Sequence, residues 1–129
     1  MTAPVEPVGD FHPIQHRPGI RGRNLIATEH GFTSFFVSEL LMDTGASIPL
    51  HTHPTEEALL VSEGSLTVRV GDQTVVAEAE SVVRIPPGVP HAVRNDGRQS
   101  VRAYGAAAWN RATWFTQATT YLEGEARTE

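Results

Sequence analysis

Short apolar runs separated by turn signals make up most of the chain from Gly19 onward. From Leu66 to Val70 apolar and polar residues alternate, Gly71–Asp72 follows as a turn signal, and a further run resumes at Thr74. This pattern predicts a β-hairpin, and glycine at the first turn position suits a type II′ turn, whose twist matches the flanking strands. No segment before residue 107 has a sustained helical period with a cap. The chain is therefore expected to be an all-β sandwich or barrel.

Other strands follow from the same pattern. Ile20 to Thr28 is one candidate, closed by a turn at His30–Gly31, and Phe32 to Met42 is another. The second lacks clean alternation, so both of its faces are expected to be covered. Asn95–Gly97 is a further turn, and it separates two late candidate strands, His91 to Arg94 and Ser100 to Ala106.

The two ends of the chain differ from its centre. Residues 1–18 contain four prolines and little periodicity, which predicts an extended N-terminal arm with a short piece of strand near Phe11 to Gln15. Residues 19–108 form the expected barrel. Residues 109–129 contain several large aromatic side chains. We therefore expect this C-terminal segment to pack on the barrel or on a partner chain, with its last residues frayed.

Composition narrows the possible functions. At 129 residues the chain has the size of one domain, and without cysteine it has neither disulfides nor a zinc–thiolate site. Its net charge is -5, and its ten basic residues are all arginines scattered along the chain, which disfavours nucleic acid as a partner. No stretch approaches the roughly 20 apolar residues of a membrane helix, and the first residues do not resemble a secretory signal. A soluble, cytoplasmic protein is expected.

The candidate chemistry begins at a pair of histidines. His51 and His53 are two residues apart, so in a strand they project from the same face. If the strand continued past the kink at Pro54, Glu57 would share their parity and Glu56 would point outward. Two imidazoles and a carboxylate on one interior face suit a divalent transition metal such as Fe, Mn, Ni, Co, Cu or Zn.

A fourth candidate ligand follows a proline-rich bend. Pro86–Gly88 forces a stiff, non-helical turn, and His91 emerges from it at the head of a strand. Three histidines and one carboxylate would leave positions open to water or substrate on a five- or six-coordinate metal. The predicted metal ligands are therefore His51, His53, Glu57 and His91.

These two stretches resemble the paired motifs of the cupin superfamily. The first motif has the form Gly, five residues, His-x-His, three or four residues, Glu, six residues, Gly, and this chain fills every position with Gly45, His51, His53, Glu57 and Gly64. The second has the form Gly, five residues, Pro-x-Gly, two residues, His, three residues, Asn. It is matched except that Glu80 stands at the leading glycine, a departure in a turn rather than at a ligand; the matching residues are Pro86, Gly88, His91 and Asn95.

The resemblance implies a six- to eight-stranded antiparallel jelly-roll barrel with one metal ion inside, commonly as a homodimer. It also implies a metal-dependent enzyme that acts on an oxygen-rich small molecule. Dioxygenase-like chemistry is ranked first, and isomerisation, decarboxylation or cyclisation second. The alternative is a barrel that binds a metal or small ligand without turnover, because fold alone does not select a reaction.

Catalytic residues beyond the ligands are not identified by the sequence. Glu39, Arg102 and Tyr104 are polar residues in apolar strands, and each either lines the cavity or is a partnered rim residue, the second being favoured. The remaining histidines are expected to be surface or turn residues, and the large aromatic residues to be core or dimer contacts, with a pocket wall as the minority interpretation. These histidines are His12, His16 and His30, and the aromatic residues are Phe35, Phe36, Trp109 and Trp114.

Overall fold

In the computed structural model, which describes residues 4–129, two antiparallel sheets pack face to face. The strands of this part of the chain are β1 (His12–Pro13), β2 (Ile20–Ile26), β3 (Phe36–Met42), β4 (Ser47–Thr52), β5 (Glu57–Glu63), β6 (Leu66–Val70), β7 (Gln73–Ala77), β8 (Ser81–Ile85), β9 (His91–Arg94), β10 (Val101–Ala107) and β11 (Thr120–Tyr121). The larger sheet has the strand order β1-β2-β3-β10-β5-β8, and the smaller has the order β11-β4-β9-β6-β7.

The hairpin of β6 and β7 has the predicted form. Val70 pairs with Gln73, so Gly71 and Asp72 are the two turn residues, and Gly71 has a φ of 60°. Within β6 the side chains of Leu66 and Val68 are buried between the sheets. Alternation therefore identified both the turn and the inward face of this hairpin.

The main core lies between the two sheets. Leu59 and Val61 of β5 contribute to it from the larger sheet, and Val68 and Val93 from the smaller one. Each of these strands buries every second residue, because successive side chains point to opposite faces of a sheet.

The expected closed barrel is not what the structure contains. Among the described residues, the two sheets share no strand pairing, so the fold is an all-β sandwich with free edges. The short piece of strand predicted near Phe11 to Gln15 is confirmed, because His12–Pro13 pairs with Arg21 and Gly22 as the edge strand of the larger sheet. Residues 1–3 of the expected arm lie outside the described part of the chain. Pairing with β2 satisfies backbone groups that an isolated arm would leave to water.

Two strand predictions were too long. The strand from Ile20 ends at Ile26, and Thr28–His30 forms a 3₁₀ turn that Gly31 closes with a φ of 88°. The strand predicted over Phe32 to Met42 begins only at Phe36. Phe32 and Phe35 are exposed and contact each other, so aromatic content alone gave a false strand signal here.

The C-terminal segment lies against the rest of the same chain. It contains a 3₁₀ turn (Arg111–Thr113), a single helical turn α1 (Trp114–Gln117) and β11, which pairs with β4. Trp114 is buried against Phe36, with ring centroids 4.9 Å apart, and forms a second small core with Ala107 and Ala118. Within the described residues, no helix has the length and apolarity that crossing a bilayer requires.

Candidate metal centre

Three buried histidines meet between the two sheets. His51 of β4 is the direct cross-strand partner of His91 of β9, and their ring centroids are 4.1 Å apart. His53 follows immediately after β4, with its ring centroid 4.8 Å from that of His51 and 5.0 Å from that of His91. All three side chains are at most 6% exposed. Strand pairing therefore joins the two sequence motifs at one point.

The ring orientation of each histidine is set by a backbone carbonyl. The Nδ1 atoms of His51, His53 and His91 lie 2.7, 3.0 and 2.9 Å from the carbonyl oxygens of Pro49, Ala118 and Val89 respectively. A carbonyl oxygen only accepts, so each Nδ1 carries the proton and donates it. Each ring is therefore in the Nδ1–H tautomer, in which the Nε2 lone pair is free to bind a metal ion.

The free nitrogens fit a metal ion. One ligand atom from each histidine lies within 4.8 Å of those of the other two. The Nε2 atoms of His53 and His91 are buried and, among the described residues, make no hydrogen bond. Burial, and next the His91 imidazole, lower the pKa of His51 to about 3. Burial also lowers the pKa of His53, so both rings stay neutral as metal ligands must be.

Glu57 approaches this cluster from the opposite sheet. Its two carboxylate oxygens lie 3.7 Å from His53 Nε2 and 3.5 Å from His91 Nε2. The sequence argument for Glu57 assumed that one strand continues from His51 past Pro54, and this was wrong, because β4 ends at Thr52 and Glu57 begins β5 of the larger sheet. Glu57 faces inward because side chains alternate between the two faces within β5, which places it on the same face as the buried Leu59.

Glu56 lies outside the cluster. Its carboxylate accepts a hydrogen bond from Arg84 Nε at 2.6 Å, and both side chains are more than half exposed. The two adjacent glutamates therefore offer a matched pair, one carboxylate facing the histidines and one facing solvent.

Backbone contacts fix the loops that present the histidines. The Gly88 amide donates to the carbonyl oxygen of His53 at 2.7 Å, and Gly88 itself has a φ of 75°. Asn95 is fully buried, and its side-chain amide donates to the carbonyl oxygens of Met42 and Gln99, both at 3.0 Å. The second motif therefore supplies one candidate ligand, while its glycine and asparagine hold the backbone around it.

The histidines line a pocket between the sheets. Its walls are largely apolar and aromatic, and His53 stacks on Trp114 with ring centroids 4.0 Å apart. Tyr121 of β11 lies beside His51, at 5.5 Å between centroids, and burial raises its pKa. The lining contains Ile14, Leu40, Ile48, Leu59, Val93, Phe36, Trp114, Phe115, Tyr121, Arg111 and Arg127.

Glu39, Arg102 and Tyr104 are partnered to each other away from this pocket. The Glu39 carboxylate accepts hydrogen bonds from Arg102, from Arg23 at 2.6 Å and from Tyr104 at 3.2 Å. The pocket is lined by its strand neighbours Ser38 and Leu40, so Glu39 faces the other side of the sheet. Burial alone would raise the pKa of Glu39, but the hydrogen bonds from Arg23 and Arg102 outweigh it and hold the pKa below its usual range.

The sequence reasoning did not place Arg111, Tyr121 and Arg127 in the pocket that they line. Arginines interleaved with aromatic residues in the C-terminal segment were the available signal, but no pattern placed that segment over the histidines. Of the histidines expected at the surface, His12 and His16 are exposed, although His12 also lines the pocket.

This arrangement defines a class of protein: a double-sheet, all-β domain with a buried three-histidine cluster in its central pocket. The family model described as Cupin domain matches residues 38–105, and the chain belongs to that family. Its match spans both sequence motifs, so the predicted membership is confirmed.

Two curated relatives and one solved structure are similar to the chain. The tetracenomycin polyketide synthase protein TcmJ of Streptomyces glaucescens is 33% identical over 67% of this chain and 60% of its own length. The polyketide synthase CurC of Streptomyces cyaneus is 32% identical over 79% of this chain and 67% of its own length. The polyketide cyclase RemF of Streptomyces resistomycificus superimposes with a TM-score of 0.75 at 22% identity, over 93% of this chain and 84% of that one.

Proposed function

We propose that the chain is a metal-dependent enzyme that cyclises an oxygen-rich, aromatic small molecule. The observation that carries the proposal is the convergence of three buried histidines, two with unpartnered Nε2 atoms, on an aromatic pocket. The similarity to proteins named as polyketide synthase components supports this reaction class. None of the three similar proteins is named as a dioxygenase, so the chemistry ranked first from the sequence gives way to cyclisation.

His51, His53 and His91 would hold the metal ion through Nε2, with Glu57 as the proposed fourth ligand. A divalent ion there would supply Lewis acidity toward a carbonyl oxygen. Trp114 and Phe36 form an aromatic wall that packs against a planar ring and excludes water. Tyr121 presents a phenolic hydroxyl, a hydrogen-bond donor for a substrate oxygen.

The proposed reaction is an intramolecular aldol condensation. A carbon–carbon bond forms between the α-carbon of one carbonyl and the carbon of another, and one water leaves. No electrons are gained or lost overall, so O₂ is not consumed. This balance separates cyclisation from dioxygenation, which adds two oxygen atoms from O₂ to the substrate.

The metal is tested first, with the two adjacent glutamates as a matched pair. Elemental analysis of the purified protein is expected to find stoichiometric metal, which His51→Ala abolishes. Glu57→Ala is expected to weaken metal affinity by about tenfold or more, while Glu56→Ala leaves it unchanged. Equal metal affinity in the two glutamate variants would exclude Glu57 as a ligand, and wild-type metal content in His51→Ala would exclude the whole site.

Reaction class is tested with metal-loaded protein and a panel of aryl β-polyketones. Mass spectrometry is expected to detect loss of one water from a panel member, without O₂ uptake, in the wild type but not in His51→Ala. Oxygen incorporation would replace cyclisation by dioxygenation. Bound metal without turnover of any panel member would favour the alternative of a non-catalytic binding protein.

A further inference from the structure

Arg127 lies in the same pocket as the histidines as a buried cation without a carboxylate partner. Its side chain is 8% exposed, and its guanidinium lies 3.7 Å from the centroid of the Phe115 ring. Its Nε atom is buried and makes no hydrogen bond to any described residue. A buried charge without a partner is costly to the folded state, so its place in a pocket points to a missing anionic partner.

Arg111 adds a second cationic group to the same pocket wall. Its Nε donates to Asn24 Oδ1 at 3.1 Å, and its guanidinium lies 4.8 Å from the same Phe115 ring. Burial lowers the pKa of Arg111, and it lowers that of Arg127 to about 10, so Arg127 stays charged near neutral pH.

Four arginines elsewhere in the described chain have a carboxylate partner: Arg23 and Arg102 bind Glu39, Arg84 binds Glu56, and Arg94 binds Asp96. Arg17 is buried without a carboxylate, but its guanidinium donates to the backbone carbonyl oxygens of His16 and Glu125. In the part of the chain that the structure describes, neither Arg111 nor Arg127 has a carboxylate within 4.0 Å. A chain with net charge -5 thus keeps two arginines without carboxylate partners in its central pocket.

We infer that Arg111 and Arg127 form an anion-binding subsite that takes the carboxylate of an aromatic substrate and orients its ring toward the histidines. A guanidinium is planar and pairs with both oxygens of a carboxylate. Both guanidinium groups lie over the Phe115 ring, which holds them at the same pocket wall. The inference rests on the proposed function for the identity of the substrate, but the subsite itself depends only on the two arginines and the pocket.

The subsite is tested by calorimetric titration with 2-naphthoate and with its neutral analogue 2-naphthalenemethanol. Both are measured on the metal-loaded protein and on the chelator-treated protein, because a carboxylate can also bind a metal ion directly. The wild type is expected to prefer naphthoate in both forms. Arg127→Gln and Arg111→Gln are each expected to weaken naphthoate about tenfold in both forms and to leave the neutral probe within twofold.

Two controls separate the subsite from general effects. Arg84→Gln removes an exposed arginine that does not line the pocket, and it is expected to change neither affinity. Arg127→Lys keeps the charge but loses the planar fork, so its naphthoate affinity is expected between those of the wild type and Arg127→Gln.

The inference is overturned by either of two results. The first is that wild-type protein binds both probes equally or binds neither. The second is that naphthoate preference disappears on metal removal and is unaffected by Arg127→Gln, which assigns the carboxylate to the metal alone. Failure of the proposed function would appear elsewhere, as absent metal or absent turnover, with the naphthoate preference of the chelator-treated protein intact.

Discussion

Glu80 occupies a left-handed backbone conformation that glycine adopts without strain. It stands in the turn before β8 with a φ of 65°, at the position where the second cupin motif has its leading glycine. Its side chain is exposed, and its amide donates to the carbonyl oxygen of Val61 at 2.7 Å. The turn therefore forms although glutamate replaces the glycine of the motif. Because glutamate has a Cβ atom, its left-handed backbone conformation is strained. Glu80→Gly should stabilise the protein.

The magnitude follows from two opposing terms. Releasing a non-glycine residue from the left-handed region is worth about 1–2 kcal/mol. Glycine adds conformational entropy to the unfolded chain, which costs about 0.5–1 kcal/mol. The net gain in the free energy of unfolding is therefore about 0.75 kcal/mol from the midpoints of the two ranges, since the amide hydrogen bond to Val61 is retained. The corresponding rise in Tm is about 3 °C for a domain of this size.

Glu78 provides the matched control. It is exposed in the same connection and does not have a positive φ, so Glu78→Gly should lose about 0.5–1 kcal/mol. Urea unfolding followed by tryptophan fluorescence, with a chelator present throughout to remove any stabilisation by bound metal, measures both variants. Glu80→Ala keeps the left-handed strain and should show no gain. If Glu80→Gly lost as much stability as Glu78→Gly, the argument from backbone strain would be wrong.

Three further changes test other parts of the fold by the same unfolding assay. Glu39→Gln should cost about 1–3 kcal/mol, because two arginines lose their carboxylate. The pKa of Glu39 is lower in the folded state than in the unfolded state. The stability that its carboxylate contributes is therefore present above the ordinary carboxyl pKa and is lost as the pH falls through the lowered value. A stability difference between Glu39→Gln and the wild type that persisted in strong acid would contradict this. Asn95→Ala should cost about 2–4 kcal/mol, because its side chain makes three buried or half-buried hydrogen bonds to backbone groups, and a neutral result would show that those groups find other partners. Gly64→Ala should cost more stability than Gly45→Ala, although both glycines have a positive φ. A Cβ atom at Gly64 would lie 3.0 Å from a backbone oxygen, whereas a Cβ atom at Gly45 would meet nothing within 4 Å. Equal losses of stability would exclude steric contact as the cause.

Some of the features that depend on short stretches of sequence were predicted correctly. The β6–β7 hairpin was predicted correctly because alternation and a two-residue glycine turn act over a few residues. The three histidines were selected because spacing within a strand and the proline–glycine bend are local as well. Their meeting point was implied by the resemblance to cupins, since the pairing of His51 with His91 joins strands that are distant in sequence.

Two predictions failed, namely the start of the strand at Phe32 and the closure of the barrel. The aromatic residues Phe32 and Phe35 read as a strand, but they contact each other at the surface outside the ladder. The closed barrel was expected from the resemblance to cupins, yet the two sheets are held together by their shared core rather than by hydrogen bonds between them. Strand propensity reports how a residue suits a pleated surface, and it does not determine which edges pair.

The sequence by itself determined which residues can bind a metal ion and which turns present them, because ligand type, strand parity and turn chemistry are properties of short segments. The tertiary structure alone decided that Glu57 reaches the histidines from the opposite sheet rather than along one strand. It also brought Arg111, Tyr121 and Arg127 into the same pocket, from a segment with no periodic pattern. Sheet-on-sheet packing and the docking of the C-terminal segment set these positions, and both depend on contacts between residues far apart in the chain.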